Sequence, residues 1–262
     1  MNLSRPSRVA DAVSAAGAGG DVAYLAGGHT LIPAMKARLR DPEGLVDLSG
    51  LDELKGMSVE DAEGGRRLWI GAMTRHRDVA EGADAIPALQ HMATLIGDPQ
   101  VRNRGTLGGS LANNDPASDY PAAVLALQAE IETDRATHRA EDFFQGMFFT
   151  ALEEGELIKR VGFRIPARAA YAKFRHPASR YALSGVFVAE IGPGIWRVAV
   201  TGSGQEGVFR WPQAEEALAN GADISTVAAP DASLMSSDIH ASPEYRAHLC
   251  TVMLAKAVGE IK

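Results

Sequence analysis

Along the chain the spacing of apolar positions switches between two residues and three to four, the pattern of short strands and helices in turn. V-A-Y-L at 22–25 reads as a short apolar strand. G-L-V-D-L-S-G (44–50) predicts a strand that stops at a turn, and L-D-E-L-K-G-M (51–57) a short helix. R-R-L-W-I-G-A-M (66–73) predicts a strand, followed by a helix over 74–82 that ends at Gly82. Leu89, Met92, Leu95 and Ile96 fall at helical spacing before Gly97. Further on, Asp119 stands where an N-cap belongs, with Pro121 in the first turn and A-A-V-L-A-L behind it. A-E-I-E-T (129–133) and L-I-K-R-V-G-F-R-I-P (157–166) predict two strands, the second stopped by Pro166. Beyond that proline, 170–191 and 195–204 suggest a meander of antiparallel strands. Two helices close the chain, 212–220 and 242–261, the latter with Ser242 as cap, Pro243 in the first turn and Glu244 near the positive helix end. The shift in character puts a domain boundary near residue 166.

Composition narrows the function classes. A net charge of -7 leaves no excess of Lys or Arg to neutralise phosphates, which argues against a nucleic-acid partner. The longest apolar runs are too short to span a bilayer. The first residues have no apolar signal core and are expected to be the amphipathic start of a mature protein. With one cysteine, Cys250, the chain can form no internal disulfide, and a reducing compartment is the simplest expectation. The same count excludes an iron–sulfur cluster held by this chain alone. The seven histidines are scattered without zinc-ligand spacing, so no metal site is expected.

Two glycine-rich turns about eighty residues apart carry the candidate chemistry. The first, Ala26-Gly27-Gly28-His29-Thr30, follows the apolar V-A-Y-L. Glycines let backbone N–H groups approach a ligand, and successive exposed N–H groups make a concave nest for phosphate oxygens. The second, Gly105-Thr106-Leu107-Gly108-Gly109-Ser110, offers a like turn with hydroxyls on either side of the glycine pair. Neither fits G-x-G-x-x-G or the P-loop, so a Rossmann NAD(P) site is not indicated. Each turn alone could equally be a bare strand-to-helix connection. Brought together, the two could grip a diphosphate from opposite sides. Asp119 reads first as a helix cap, with a ligand contact as its alternative. The apolar run Phe143–Leu152 reads as core packing in preference to a cofactor edge or an interface.

The stretches A-G-G-H-T-L-I-P-A-M-K-A-R-L (26–39), I-G-A-M-T-R-H-R-D-V-A (70–80) and 96–127, together with 237–254, resemble the FAD-binding medium subunits of the molybdenum hydroxylases. Within that family the resemblance runs to the medium chain of aerobic carbon monoxide dehydrogenase and, more distantly, to the flavin domain of xanthine dehydrogenase. It covers nearly the whole chain. It implies an α+β fold: an FAD-binding domain of the vanillyl-alcohol-oxidase (PCMH) type over 1–166, in subdomains of about 1–52 and 53–166, and a C-terminal domain over 167–262 with a three-stranded antiparallel sheet and helices.

The resemblance also implies site residues, all cofactor-binding and none catalytic. The first turn with its neighbours (Ala26, Gly27, Gly28, His29, Thr30, Leu31, Ile32) and the second (Thr106, Gly108, Gly109, Ser110) would wrap the FAD pyrophosphate. Asp119 would contact the cofactor, Val161 would offer a backbone contact near the flavin, and Lys173 and Tyr181 would lie beside it. FAD is expected to be non-covalent, although G-G-H also occurs in flavin oxidases that attach the ring through histidine. The implied role is electron transfer. A large partner subunit carries the molybdenum cofactor, a small one carries two [2Fe–2S] clusters, and FAD on this chain passes the electrons to an external acceptor. A dimer of heterotrimers in the cytoplasm, or peripheral at the inner membrane, is the implied assembly. Two alternatives stay open. A free-standing oxidase of the vanillyl-alcohol-oxidase type would be marked by a covalent flavin on His29, and a non-catalytic nucleotide-binding module by absence of flavin colour.

Overall fold

The computed structural model describes residues 2–62 and 64–261; Met1, at the head of the N-terminal stretch, lies outside them. The chain opens with β1 (Asn2–Ser4), α1 (Val9–Ala16), β2 (Val22–Leu25), α2 (Leu31–Lys36) and β3 (Gly44–Asp47). The three strands form a parallel sheet in the order β1-β3-β2. β3, the middle strand, is buried throughout, as its unbroken G-L-V-D run requires. The short helix predicted next is a single 3₁₀ turn, Asp52–Leu54.

β4 (Met57–Ala62) and β5 (Gly65–Gly71) lead into the helices α3 (His76–Gly82), α4 (Pro87–Thr94), α5 (Pro99–Arg102), α6 (Leu107–Asn113) and α7 (Tyr120–Ala126). β6 (Glu130–Thr133), β7 (Thr137–Arg139), α8 (Ala140–Phe143) and β8 (Ile158–Arg164) follow. The five strands make an antiparallel sheet in the order β4-β5-β8-β6-β7. β8 therefore returns to the middle of its sheet, and Val161 there is fully buried between Ile70 and Ile131.

The remainder is β9 (Arg168–Arg175), β10 (Ala182–Gly192), β11 (Ile195–Thr201), the two-residue β12 (Phe209–Arg210), α9 (Pro212–Ala219) and α10 (Pro243–Glu260). β9, β10 and β11 form the expected three-stranded antiparallel sheet, and β12 extends its β11 edge. α10 starts at the predicted cap, where Ser242 Oγ accepts from the Tyr245 N–H at 3.3 Å.

Side-chain parity divides this last sheet between two cores. Ala170, Ala172, Val186, Val188, Val198 and Val200 face α9 and α10. The alternate residues Tyr171, Phe187, Ala189 and Ala199 join the core around α7 and the five-stranded sheet. α7 is buried on every side, which its Y-P-A-A-V-L-A sequence allows and no surface helix could tolerate. It packs on β10 and β11 as well as on its own subdomain, so one core runs through residue 166.

The shared core makes a prediction. Phe187→Ala should cost about 3–5 kcal/mol and lower the unfolding midpoint of the whole chain in one step. Urea unfolding followed by tryptophan fluorescence and by far-ultraviolet circular dichroism should give coincident curves. Two separated transitions would show that the C-terminal sheet unfolds independently.

Candidate functional site

The two glycine turns lie against each other. β2 delivers Ala26–Thr30 to the edge of the first sheet, and Gly28 takes φ +74°, a backbone conformation glycine tolerates. A Cβ on Gly27 would overlap the Arg104 carbonyl oxygen and lie 2.9 Å from the Gly105 Cα. One on Gly109 would come 3.5 Å from the Ala26 Cβ. The N-terminal sheet and the middle subdomain therefore approach here at backbone distance, and absence of side chains permits it.

Their hydrogen bonding is not alike. The N–H groups of Gly27, Gly28, His29, Thr30 and Leu31 have no partner among the described residues. The second turn is different from the expected second nest. Leu107 N–H donates to the Thr74 carbonyl at 3.1 Å and Gly108 N–H to the Ala72 carbonyl at 2.8 Å. Gly109 N–H donates to Thr106 Oγ1 at 3.2 Å, the cap of α6, and Ser110 N–H to the Thr106 carbonyl at 3.0 Å. This turn is laced to residues 72–76 by an antiparallel bridge, Arg75 to Thr106, so its amides are committed before any ligand arrives. What it can still offer is the hydroxyls of Thr106 and of Ser110, the latter paired with Ser118 Oγ at 2.7 Å.

Both turns line one cleft of about 770 Å³, a volume within the range of small-molecule sites. Of the residues singled out from the sequence, Ala26, Gly27, Gly28, His29, Thr30, Leu31, Thr106, Gly108, Gly109, Ser110, Asp119, Lys173 and Tyr181 all line it. Two do not. Ile32 points to a smaller cleft on the far side of the first turn, which it shares with Gly28 and Arg104. Val161 is enclosed in the core as the centre of β8, and Leu157 and Ile158, at the start of that strand, reach the cleft in its place.

Asp119 is corrected in its local role. Its backbone is helical and its side chain makes no cap; the carboxylate turns instead to the C-terminal sheet. Tyr171 donates its hydroxyl to Oδ1 at 2.6 Å, and Lys173 donates its ammonium to Oδ2 at 2.9 Å and to the Leu95 carbonyl at 3.2 Å. Tyr171 and Lys173 are two apart on β9 and so share the face turned to α7. Gly185, opposite on β10, leaves room for the Tyr171 hydroxyl, which any Cβ there would meet. The pair is enclosed: the Lys173 and Asp119 side chains are 1% and 4% exposed. Burial pushes the Asp119 carboxyl up from its ordinary value, while Lys173 and Tyr171 work against that shift. The result is a fixed ion pair in the wall of the cleft.

Sequence reasoning missed several lining residues. His76 heads α3, is 5% exposed, and is driven down to about 3 by burial, with the charges of His29 and Arg102 adding to it. Nothing in a single T-R-H triplet marks it. Asp115 also lines the cleft, and burial raises its carboxyl. The aromatic run splits: Phe143 packs inside, whereas Met147, Phe148 and Phe149 are exposed and Phe148 stands at the cleft. Asn114 causes the split. Left-handed at the end of α6 and buried, it donates to the Gly146 and Phe149 carbonyls at 2.8 Å, which holds that loop outward. His29 is exposed and bonds only weakly, Nδ1 lying 3.4 Å from the Gly27 carbonyl.

These features make one cleft lined by both glycine turns, and residues 1–168 match the family described as the FAD binding domain in molybdopterin dehydrogenase. The chain belongs to that family. The carbon monoxide dehydrogenase medium chain of Afipia carboxidovorans is 36% identical over 100% of this chain and 96% of its own length. That of Hydrogenophaga pseudoflava is 39% identical over 70% of this chain and 66% of its own length. The structure of reconstituted carbon monoxide dehydrogenase from Oligotropha carboxidovorans superposes with a TM-score of 0.88 at 31% identity, covering 99% of this chain and 96% of that one. Among the described residues no helix is long and apolar enough to cross a membrane.

The buried pair predicts a pH signature. Lys173→Met should destabilise the protein by about 3–5 kcal/mol near neutrality, because it leaves a buried carboxylate unpaired. A carboxyl whose folded value is raised contributes stability below its unfolded value and loses it as pH climbs through the folded one. The deficit against wild type should therefore shrink as pH falls toward the ordinary 3.8. Urea midpoints of both proteins across pH check this; a deficit independent of pH would mean the carboxylate is not the cause.

Proposed function

We propose that this chain is the FAD-carrying electron-transfer subunit of a molybdenum hydroxylase complex. It would take electrons from [2Fe–2S] clusters on a small partner, fed by the molybdenum cofactor of a large one, and hand them to an external acceptor. The observation that carries this is the convergence of two glycine turns on one cleft, one of them with five successive N–H groups that have no partner among the described residues. Family membership supports the cofactor, and the relatives' designation as medium chains supports a complex of several subunits. We assign 1–166 to FAD binding and 167–262 to the C-terminal domain, with the complex, a dimer of heterotrimers, in the cytoplasm.

Bound FAD would supply the one- and two-electron redox chemistry. The residues of the chain fit it. The amides of Gly27 to Leu31 make a concave row of donors suited to the pyrophosphate oxygens. Thr106 and Ser110 stand across from them with hydroxyls. Lys173 and Asp119 place a buried ion pair in the cleft wall. Tyr181, half exposed at the β9–β10 loop, and Phe148 would border the ring. No side chain of this set is assigned a proton transfer on an organic substrate. The lone cysteine, Cys250, is fully buried against α10's neighbours, consistent with clusters carried elsewhere.

The reading is tested by the absorbance of the purified protein before and after acid precipitation. Bands near ~370 and ~450 nm, with FAD released to the supernatant, are expected. Yellow that stays in the pellet would mean covalent attachment and the oxidase alternative. Gly27→Val should abolish FAD uptake, because its side chain would force the first turn off the Arg104–Gly105 backbone. A protein that stays colourless with FAD and its partner subunits present would overturn the assignment.

A further inference from the structure

We propose that His76 is a positioning residue for the dinucleotide, donating a ring N–H to a pyrophosphate oxygen on the side of the second glycine turn. The proposal rests on the FAD reading above and adds a residue to it.

The need for such a donor follows from the backbone. All four amides from Leu107 to Ser110 are already bonded within the protein. An anion held between the two turns would meet amide donors on one side only. His76 stands where the missing donor would be. It lines the cleft, and its own N–H donates to the Gly105 carbonyl at 3.0 Å, which pins the residue beside the second turn. Its Nε2 is so close to Gly105 that a Cβ there would come within 2.5 Å of it. Gly105 is thus a glycine for the sake of the ring, and Gly105 also lines the cleft.

The ring has no hydrogen-bond partner of its own among the described residues, and its Nδ1 is buried without one. A tilted contact with Tyr120, ring centroids 5.3 Å apart, holds it from behind. A neutral imidazole carries one N–H. Burying that N–H unpaired at Nδ1 costs more than burying a lone pair there, so the proton belongs on Nε2, toward Gly105 and the cleft. The charged groups that act on the ring are His29 and Arg102. Burial keeps the ring neutral, and these two charges add to that effect. An Nε2 donor without a partner among the described residues, on a ring held at the cleft, is the arrangement a phosphate oxygen would complete.

The test uses the full chain with FAD and with ADP, which keeps the pyrophosphate and lacks the flavin. His76→Phe preserves the packing against Tyr120 and removes the donor; His76→Gln restores one. His76→Phe should weaken both ligands about tenfold or more, the scale of a hydrogen bond to a charged group, and His76→Gln should recover part of that loss. Ligand-free melting should stay close to wild type, which a merely structural histidine would not permit. In wild type, the Nε2 signal in long-range ¹⁵N NMR should move when ADP is added. A folded His76→Phe protein that binds FAD within about twofold of wild type overturns the proposal, as does an Nε2 signal that ADP leaves unmoved. A wild-type chain that takes up neither FAD nor ADP overturns the FAD reading instead.

Discussion

The site depends on one close approach, the seating of the Gly27 backbone on the backbone of Arg104 and Gly105. No side chain can be interposed there, so the two turns meet along main chain, while Val46 and Leu48 of the first part share a buried cluster with Met73 and Leu157 of the second. That contact fixes the depth of the cleft and turns the free amides of Gly27 to Leu31 into it. Everything else in the cleft is arranged around this seam. Residues 72–76 take the Leu107 and Gly108 amides of the second turn and Thr106 takes those of Gly109 and Ser110, so donor capacity is lost on that side. Side chains, Thr106, Ser110 and His76, have to supply what that backbone no longer can.

The third wall is tied on by charge. Asp119, at the entrance to a helix with no exposed face, reaches over to Tyr171 and Lys173 on β9. A buried ion pair contributes little net stability against its desolvation cost, but breaking one partner is expensive. Its value here is positional: it ties β9 to the start of α7 in the wall of the cleft. The shared core beneath, from α7 to Phe187, supplies the stability that the ion pair does not. Electrostatics therefore chooses the register of β9 against α7, and burial keeps it.

Much of this was legible in the sequence. The strands 44–47, 65–71 and 158–164 and the helices 76–82, 87–94 and 243–260 stand where apolar spacing, caps and glycine stops predict them. Local signals decide such elements, and local signals are what a sequence displays. The glycine turns were legible as candidates for the same reason. The reading of Asp119 as a cap was not upheld, because a cap geometry and a cross-domain ion pair compete for one carboxylate, and only the neighbour on β9 decides between them. Val161 and Ile158 are both apolar residues of one strand; which of them reaches the cleft is set by the return of β8 to the middle of its sheet.

The sequence by itself determined the elements, the family resemblance and the two places where backbone could be laid bare, because glycine spacing and hydrophobic period are properties of neighbours in the chain. Tertiary structure alone decided which bare amides remain free. The Leu107 and Gly108 N–H groups of the second turn look as available as those of the first until residues 72–76 are folded against them. It also decided that the His76 ring would have no hydrogen-bond partner among the described residues while standing beside Gly105, twenty-nine positions away in the chain, since a hydrogen-bond vacancy is a relation between segments and leaves no mark on either one.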